Sequence, residues 1–256
     1  MNVAVITPNR IQSRLLINQM IATNNHPTQV FFYTPDKKKI PIWIRALSSV
    51  KTLLRSFTVQ GRINRVREKN EKRAIQEFDK FAVKRGIKTV LDASVDYQEI
   101  RNLSSAGFVN QMKQEAFDVV FVWGVPILKE ELLNTANQYF INAHSSILPQ
   151  YKGSKSEFWQ CYHQAFDHAG ITFHKVESGV DTGDILVQVK AKAGDCKTPE
   201  LLRTKNHLRV IENIDRVFDL LKSGAPFKPQ LRSNGKTYRM RDIELQHLKK
   251  VYLGLA

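Results

Sequence analysis

The chain has 256 residues, 42% of them hydrophobic, which is enough for one large α/β domain, or for one domain of about 200 residues with a small appendage. Its two cysteines, Cys161 and Cys196, make neither a disulfide framework nor a CxxC or Cys/His metal pattern, and no uncharged apolar run approaches the ~20 residues of a membrane span. The formal charge of +15 is concentrated between Asp36 and Lys88, where 16 Lys and Arg face 5 Asp and Glu; such a stretch attracts phosphates of nucleic acid, of a nucleotide-linked substrate or of a membrane surface, or forms only a solvated face.

Residues 3–6 read as a buried strand, broken by Thr7-Pro8-Asn9. They lack the basic start and longer apolar run of a signal peptide, so with a reduced cysteine pair a cytoplasmic location is expected. Residues 10–21 have helical character and 29–33 form a second strand, which is the start of a doubly wound parallel sheet. No GxGxxG follows the first strand, which counts against a nicotinamide enzyme, although a helix beginning after Pro8-Asn9-Arg10 can still receive a phosphate on its free amides.

Residues 40–57 carry one apolar stripe (Trp43, Leu47, Val50, Leu54, Phe57), suited to packing on the domain or lying on a membrane. Residues 62–85 continue as a charged helix. A short strand is predicted at 89–91, a helix at 96–113, a continuous apolar strand at 118–123, a short helix at 128–137 and a strand at 139–142. Beyond a polar, turn-rich stretch at 145–156, the pattern gives a helix at 157–165, strands at 169–176 and 184–189, and a helix at 199–223. A small hairpin at 231–240 around Asn234-Gly235 and a final helix at 242–252 complete the chain. This divides into a catalytic domain, 1–195, and a C-terminal appendage of helix, hairpin and helix, 196–256.

Chemistry concentrates between Asp118 and Gln188. Asn142 and His144 are two apart at a strand end and so project together, at the carboxyl edge where α/β sites lie. An amide that stabilises an oxyanion beside an imidazole that exchanges a proton near neutral pH suits acyl transfer. About forty residues on, glycines on either side of Asp181 present a carboxylate fit to orient the histidine. His144, His174 and Asp181 have no recognisable metal-ligand spacing, and no metal is expected.

Together these segments closely resemble the folate-dependent formyltransferase family. The motif Asn-x-His-x-Ser-x-Leu-Pro-x-Tyr-x-Gly is matched at Asn142, His144, Ser146, Leu148, Pro149, Tyr151 and Gly153. Asp-Thr-Gly-Asp-Ile-Leu is matched from Asp181 to Leu186, and Gly170-Ile171-Thr172-Phe173-His174 is similar to the family's Gly-Val-Thr-x-His strand. Ile127-Leu128 precedes the motif asparagine by 14 residues, where the family has its Ile-Leu. The resemblance implies a Rossmann-like α/β fold, a doubly wound and mainly parallel sheet with a short C-terminal appendage. It implies 10-formyltetrahydrofolate as the formyl donor, its pterin lying between the 123–128 stretch and the Asp181 loop and touching Trp123, Gly124, Val125, Ile127, Leu128, Val180, Thr182 and Gly183. Asn142 and charged His144 would stabilise the oxyanion, and Asp181 would hold His144 and help move protons from amine to folate. A buried imidazole beside a carboxylate is expected to favour its charged form.

Three acceptors fit the family: a nucleotide-linked amino sugar, the initiator methionyl-tRNA and a ribosyl glycinamide. The chain resembles the sugar N-formyltransferases of surface-polysaccharide and lipopolysaccharide biosynthesis best in length, with fifty to sixty residues past the catalytic core. The tRNA enzymes carry a second domain of about a hundred residues after the catalytic one, and the glycinamide enzymes open with a Gly-rich loop where Thr7-Pro8-Asn9-Arg10 stands. The family often has Arg where Lys152 precedes Gly153, a change that is not equivalent. Asn9, Arg10, Ser146, Tyr151, Lys152 and Gly153 are therefore expected to bind the substrate, with the basic segment meeting a nucleotide diphosphate. A homodimer is compatible with the family, and nucleic acid is the disfavoured partner. The non-enzymatic alternative, a basic Rossmann-like domain that binds nucleic acid, has no need of Asn142, His144 and Asp181 together.

Overall fold

The computed structural model describes residues 1–36, 58–231 and 235–255. Seven strands form the main sheet in the order β3-β2-β1-β4-β5-β7-β8. These are β1 (Val3–Thr7), β2 (Gln29–Tyr33), β3 (Tyr97–Ile100), β4 (Val119–Val122), β5 (Tyr139–His144), β7 (Gly170–Lys175) and β8 (Ile185–Lys190). The first five are parallel; β7 and β8 add as antiparallel strands. A second sheet joins β6 (Tyr151–Gly153) to β9 (Lys236–Tyr238) in parallel. The helices are α1 (Ile11–Ala22), α2 (Val59–Arg85), α3 (Ala106–Glu115), α4 (Glu130–Leu133), α5 (Ser156–His163), α6 (Pro199–Lys222) and α7 (Leu245–Leu253).

Alternation along the strands divides the core. Val3 and Val5 join Val30, Phe32, Val119 and Phe121 beneath α1, α2 and α6. Ala4 and Ile6 point the other way, to Phe31, Val120, Phe140 and the apolar side of α3. The order reverses beside β1: β2 leaves on one side and β4 on the other. The crevice above such a switch point is where ligands bind in open α/β sheets. Here it is closed at its floor by the Thr7 hydroxyl, which donates to the Trp123 carbonyl at 3.0 Å.

The expected doubly wound, mainly parallel sheet is present, and several local expectations are corrected. Residues 89–91 are not a strand. The Arg14 guanidinium bonds the Thr89 carbonyl at 2.9 Å, and the Asn18 amide donates to the Lys88 and Val90 carbonyls at 2.7 Å, so side chains take the bonds a ladder would need. The predicted helix 96–113 is instead the edge strand β3 followed by α3. Of the expected hairpin at 231–240, residues 232–234 lie outside the described residues, and its second arm, β9, pairs in parallel with β6, far back in the chain. The helix at 199–223 is α6, but it is no appendage. Leu208, Val210, Ile211, Ile214, Val217 and Phe218 lie in the same core cluster as β1 and β4, so the main body runs through Lys222. The predicted amphipathic helix 40–57 lies outside the described residues, as does Asn234.

Candidate active site

β5 carries the central pair. Its first half pairs in parallel with β4, up to Val122 opposite Asn142; its second half pairs antiparallel with β7, His144 opposite Thr172 and Asn142 opposite His174. Asn142 therefore stands where the parallel ladder ends and the crevice begins. The loop after β7 returns Asp181 against both histidines. Its Oδ2 lies 3.3 Å from His144 Nδ1 and its Oδ1 3.5 Å from His174 Nε2. Asp181 itself has φ 49, in the left-handed region, and Gly183 lies so close to the Lys175 carbonyl that a Cβ would sit 2.1 Å from it. This packing holds the loop down and aims the carboxylate.

Both ring nitrogens of His144 have defined partners. His144 Nε2 donates to the Tyr151 carbonyl at 2.7 Å, with the Ser156 hydroxyl 3.2 Å away. A proton on Nδ1 would point at Asp181, so the ring is held by acceptors at both ends. His174 Nδ1 donates to the Lys175 carbonyl at 2.6 Å, and its Nε2 lies 3.2 Å from Asn142 Nδ2. In the neutral ring that nitrogen accepts from the amide. In the charged ring it donates, to Asp181 or to the oxygen of a turned Asn142 amide. The Gly153 amide donates to Asp181 Oδ2 at 2.8 Å. Burial pushes the Asp181 carboxyl up, but His144, then the hydrogen bond and charge of His174, then the Gly153 amide outweigh it and hold the group well below the ordinary carboxylate range. Asp181 is thus a fixed negative charge beneath two imidazoles.

These residues open into a cavity of about 610 Å3, lined on one side by 122–128 and on the other by Glu177, Gly179, Val180 and Asp181. A flat heterocycle with polar edges fits this wall. Residues 124–128 form neither helix nor strand and, among the described residues, Gly124, Val125, Ile127 and Leu128 make no backbone hydrogen bond, while Val125, Ile127 and Leu128 offer apolar surface. Of the residues expected to hold the pterin, Trp123, Gly124, Val125, Ile127, Leu128 and Val180 line the cavity. Thr182 and Gly183 do not: Gly183 is buried, and its carbonyl accepts from Gln230 at 2.8 Å.

The residues expected to bind substrate divide in the same way. Gly153 lines this cavity, and Arg10 lines a second one beside it. Ser146 is fully buried, its hydroxyl spent on the Tyr151 carbonyl at 2.8 Å. Tyr151 is buried, its ring stacked on Tyr238 and its hydroxyl 3.1 Å from His163 Nδ1. Lys152 is buried in β6 opposite Thr237. Asn9 lines neither cavity, and its side chain accepts from Arg14 at 3.0 Å. Ser146 and Tyr151 therefore build the cradle of His144 rather than touch a ligand. Sequence reasoning missed Ser156, Lys155 and His207, which line the cavity, and took His174 as part of a strand motif and of a metal set without ligand spacing, not as a partner of Asp181.

An amide, two imidazoles and a largely buried carboxylate thus converge beside a cavity at the end of β5. Residues 54–214 match the formyl transferase family model. The chain belongs to the formyl transferase family. The methionyl-tRNA formyltransferase of Geobacter metallireducens is 34% identical over 107 residues, 42% of this chain and 34% of that protein. That of Prochlorococcus marinus is 27% identical over 169 residues, 64% of this chain and 46% of that protein. The chain thus spans about a third to a half of the length of these curated relatives. In fold it is similar to a sugar N-formyltransferase from Shewanella, with a TM-score of 0.62 at 14% identity, covering 94% of this chain and 78% of that one. It is also similar to glycinamide ribonucleotide transformylase 1 from Symbiobacterium toebii, with a TM-score of 0.55 at 17% identity, covering 88% and 89%. Among the described residues, no helix is long and apolar enough to cross a membrane.

Proposed function

We propose that this formyl transferase family member moves a formyl group from 10-formyltetrahydrofolate to the amine of a nucleotide-linked amino sugar. The observation that carries the formyl-transfer reading is the convergence of Asn142, His144, His174 and Asp181 at the cavity mouth. The pterin would lie along 123–128 and against Val180. The donor supplies an activated formyl carbon. The Asn142 amide has a hydrogen left for the formyl oxygen when it donates its other one to His174, and it would stabilise charge there as the amine nitrogen attacks. His144, tethered through Nε2 to Tyr151, keeps Nδ1 between the reacting centre and Asp181. Asp181 stabilises the imidazolium and moves the amine proton toward the departing folate nitrogen, so one N–H and one C–N bond break as one C–N and one N–H bond form.

Support for the sugar acceptor comes from solved relatives in fold. Beside the Shewanella protein stand WlaRD, described as a sugar 3N-formyl transferase, and a 4-N formyltransferase from Francisella tularensis, at TM-scores of 0.55 and 0.56. Methionyl-tRNA is the second reading, favoured by the curated sequence relatives. The two are separated by competition: methionyl-tRNA and a panel of UDP-, dTDP- and GDP-linked amino sugars at equal concentration, with the folate donor. Formylated sugar with unmodified tRNA is expected, and the reverse establishes the second reading.

A further inference from the structure

The stretch that dominates the charge of the chain does not turn that charge toward the crevice. Among the described residues of 58–88, those that line either cavity are Glu71, Ile75 and Phe78, none of them a cation. The expected meeting of these cations with a nucleotide diphosphate therefore has no support in the geometry.

The cations collect instead on the outward side of α2. Phe78, Phe81 and Ala82 hold this helix to the core, and along its flank Glu71 and Glu77 pair with Arg203 and Lys205 of α6. On the opposite side Arg62, Arg65, Lys69 and Lys72 follow one another at spacings of 3, 4 and 3, with Arg73 alongside. Residues so spaced stand in one line, here over about three turns, and all five are exposed. The line has one exposed carboxylate, Glu68, on its edge. Arg62, Lys69, Lys72 and Arg73 make no ion pair among the described residues, whereas Lys80, further along, is held by Glu77 at 2.7 Å.

We propose that this face of α2 docks the protein on a membrane surface of anionic lipid. A cluster of 4–8 Lys and Arg on one helix face is the charge pattern that anionic headgroups attract. The choice of lipid over RNA comes from the sequence leading into the helix. Residues 37–57 carry six Lys and Arg, no Asp or Glu, and the apolar set Trp43, Leu47, Val50, Leu54 and Phe57. A lipid surface draws on cations and apolar side chains together, while the phosphate backbone of RNA draws chiefly on the cations. The inward side of α2 lines the second cavity, so docking would hold that cavity about one helix diameter, 10–12 Å, from the headgroups. The docking does not depend on the formyl-transfer reading.

The test is sedimentation of the full chain with vesicles of phosphatidylglycerol mixed with phosphatidylcholine, and with vesicles of phosphatidylcholine alone. The protein should sediment with the first and stay in solution with the second. The triple variant Lys69→Gln/Lys72→Gln/Arg73→Gln should partition about 100-fold more weakly, at about fivefold for each cation near an anionic surface. Its melting temperature should match wild type, because the three side chains are exposed. The charge-keeping pair Lys69→Arg/Lys72→Arg should bind as wild type. Bulk tRNA added at equal phosphate concentration should leave the protein on the vesicles. No sedimentation with phosphatidylglycerol, equal sedimentation with phosphatidylcholine alone, or undiminished partitioning of the triple variant overturns the proposal. Transfer to the added tRNA overturns it as well and assigns the face to nucleic acid.

Discussion

Asp181 faces His144, His174 and the Gly153 amide at once, so its charge is shared among three partners and a single substitution disturbs all of them. His144→Ala and Asp181→Asn should each lower turnover about 10²–10⁴-fold, the range for general acid–base groups, while folate binding persists because the 123–128 wall is untouched. Turnover and donor affinity measured side by side check this, and near-normal turnover in either variant removes that residue from the mechanism. At this scale the sequence was legible where chemistry and local spacing coincide: two residues apart on a strand end, Asn142 and His144 had to project together. It misled at Ser146 and Tyr151, because motif spacing reports the geometry that holds His144 and does not say which side chains touch a ligand. Lys155 and His207 carried no local signal. They line the cavity only because the start of α5 and the first half of α6 meet at the crevice.

Among the elements, β6 and β9 are short, and their pairing fixes the Gly153 amide beneath Asp181. Gly153 has φ +85, and a Cβ there would sit 2.2 Å from the Tyr238 carbonyl. Gly153→Ala should therefore cost roughly 1–3 kcal/mol of stability through backbone strain, plus the clash, and lower turnover by shifting Asp181. Thermal melts and kinetics on one preparation check both. Elements with strong apolar runs, such as β4, were legible. β3 was not, because a sheet-edge strand buries only Ile100 and shows no alternation to distinguish Tyr97-Gln98-Glu99 from the start of a helix. The 89–91 segment failed for the opposite reason: it has strand-like residues, but Arg14 and Asn18 occupy its carbonyls.

For the whole molecule, α6 decides what counts as a domain. Ending the chain at residue 195 would remove Leu208, Ile211, Ile214, Val217 and Phe218 from the core, each worth about 1.5–3 kcal/mol when fully buried, against a typical total stability of about 5–15 kcal/mol. The 1–195 fragment should not fold cooperatively; a sharp thermal transition would contradict this. The charge arrangement also makes a pH prediction. Burial, then Arg203 and Arg10, push the His207 imidazole down to about 3. The folded protein therefore binds fewer protons there than the unfolded chain, whose histidine titrates near about 6.5. Stability should fall as pH drops from about 6.5 toward 3, by at most about 1.4 kcal/mol per pH unit from this group. His207→Gln should flatten that part of the melting-temperature profile, and a profile parallel to wild type would show that His207 does not stay neutral on folding. The central claim, that the Asn142–His144–Asp181 cluster carries formyl transfer from folate to an amine, is tested most directly by incubating the protein with 10-formyltetrahydrofolate labelled at the formyl carbon and a panel of nucleotide-linked amino sugars, then following the label by mass spectrometry. The account predicts labelled formamide on one class of sugar, lost in His144→Ala and Asp181→Asn; label retained on folate with every amine offered, methionyl-tRNA included, or transfer undiminished in both variants, would contradict it.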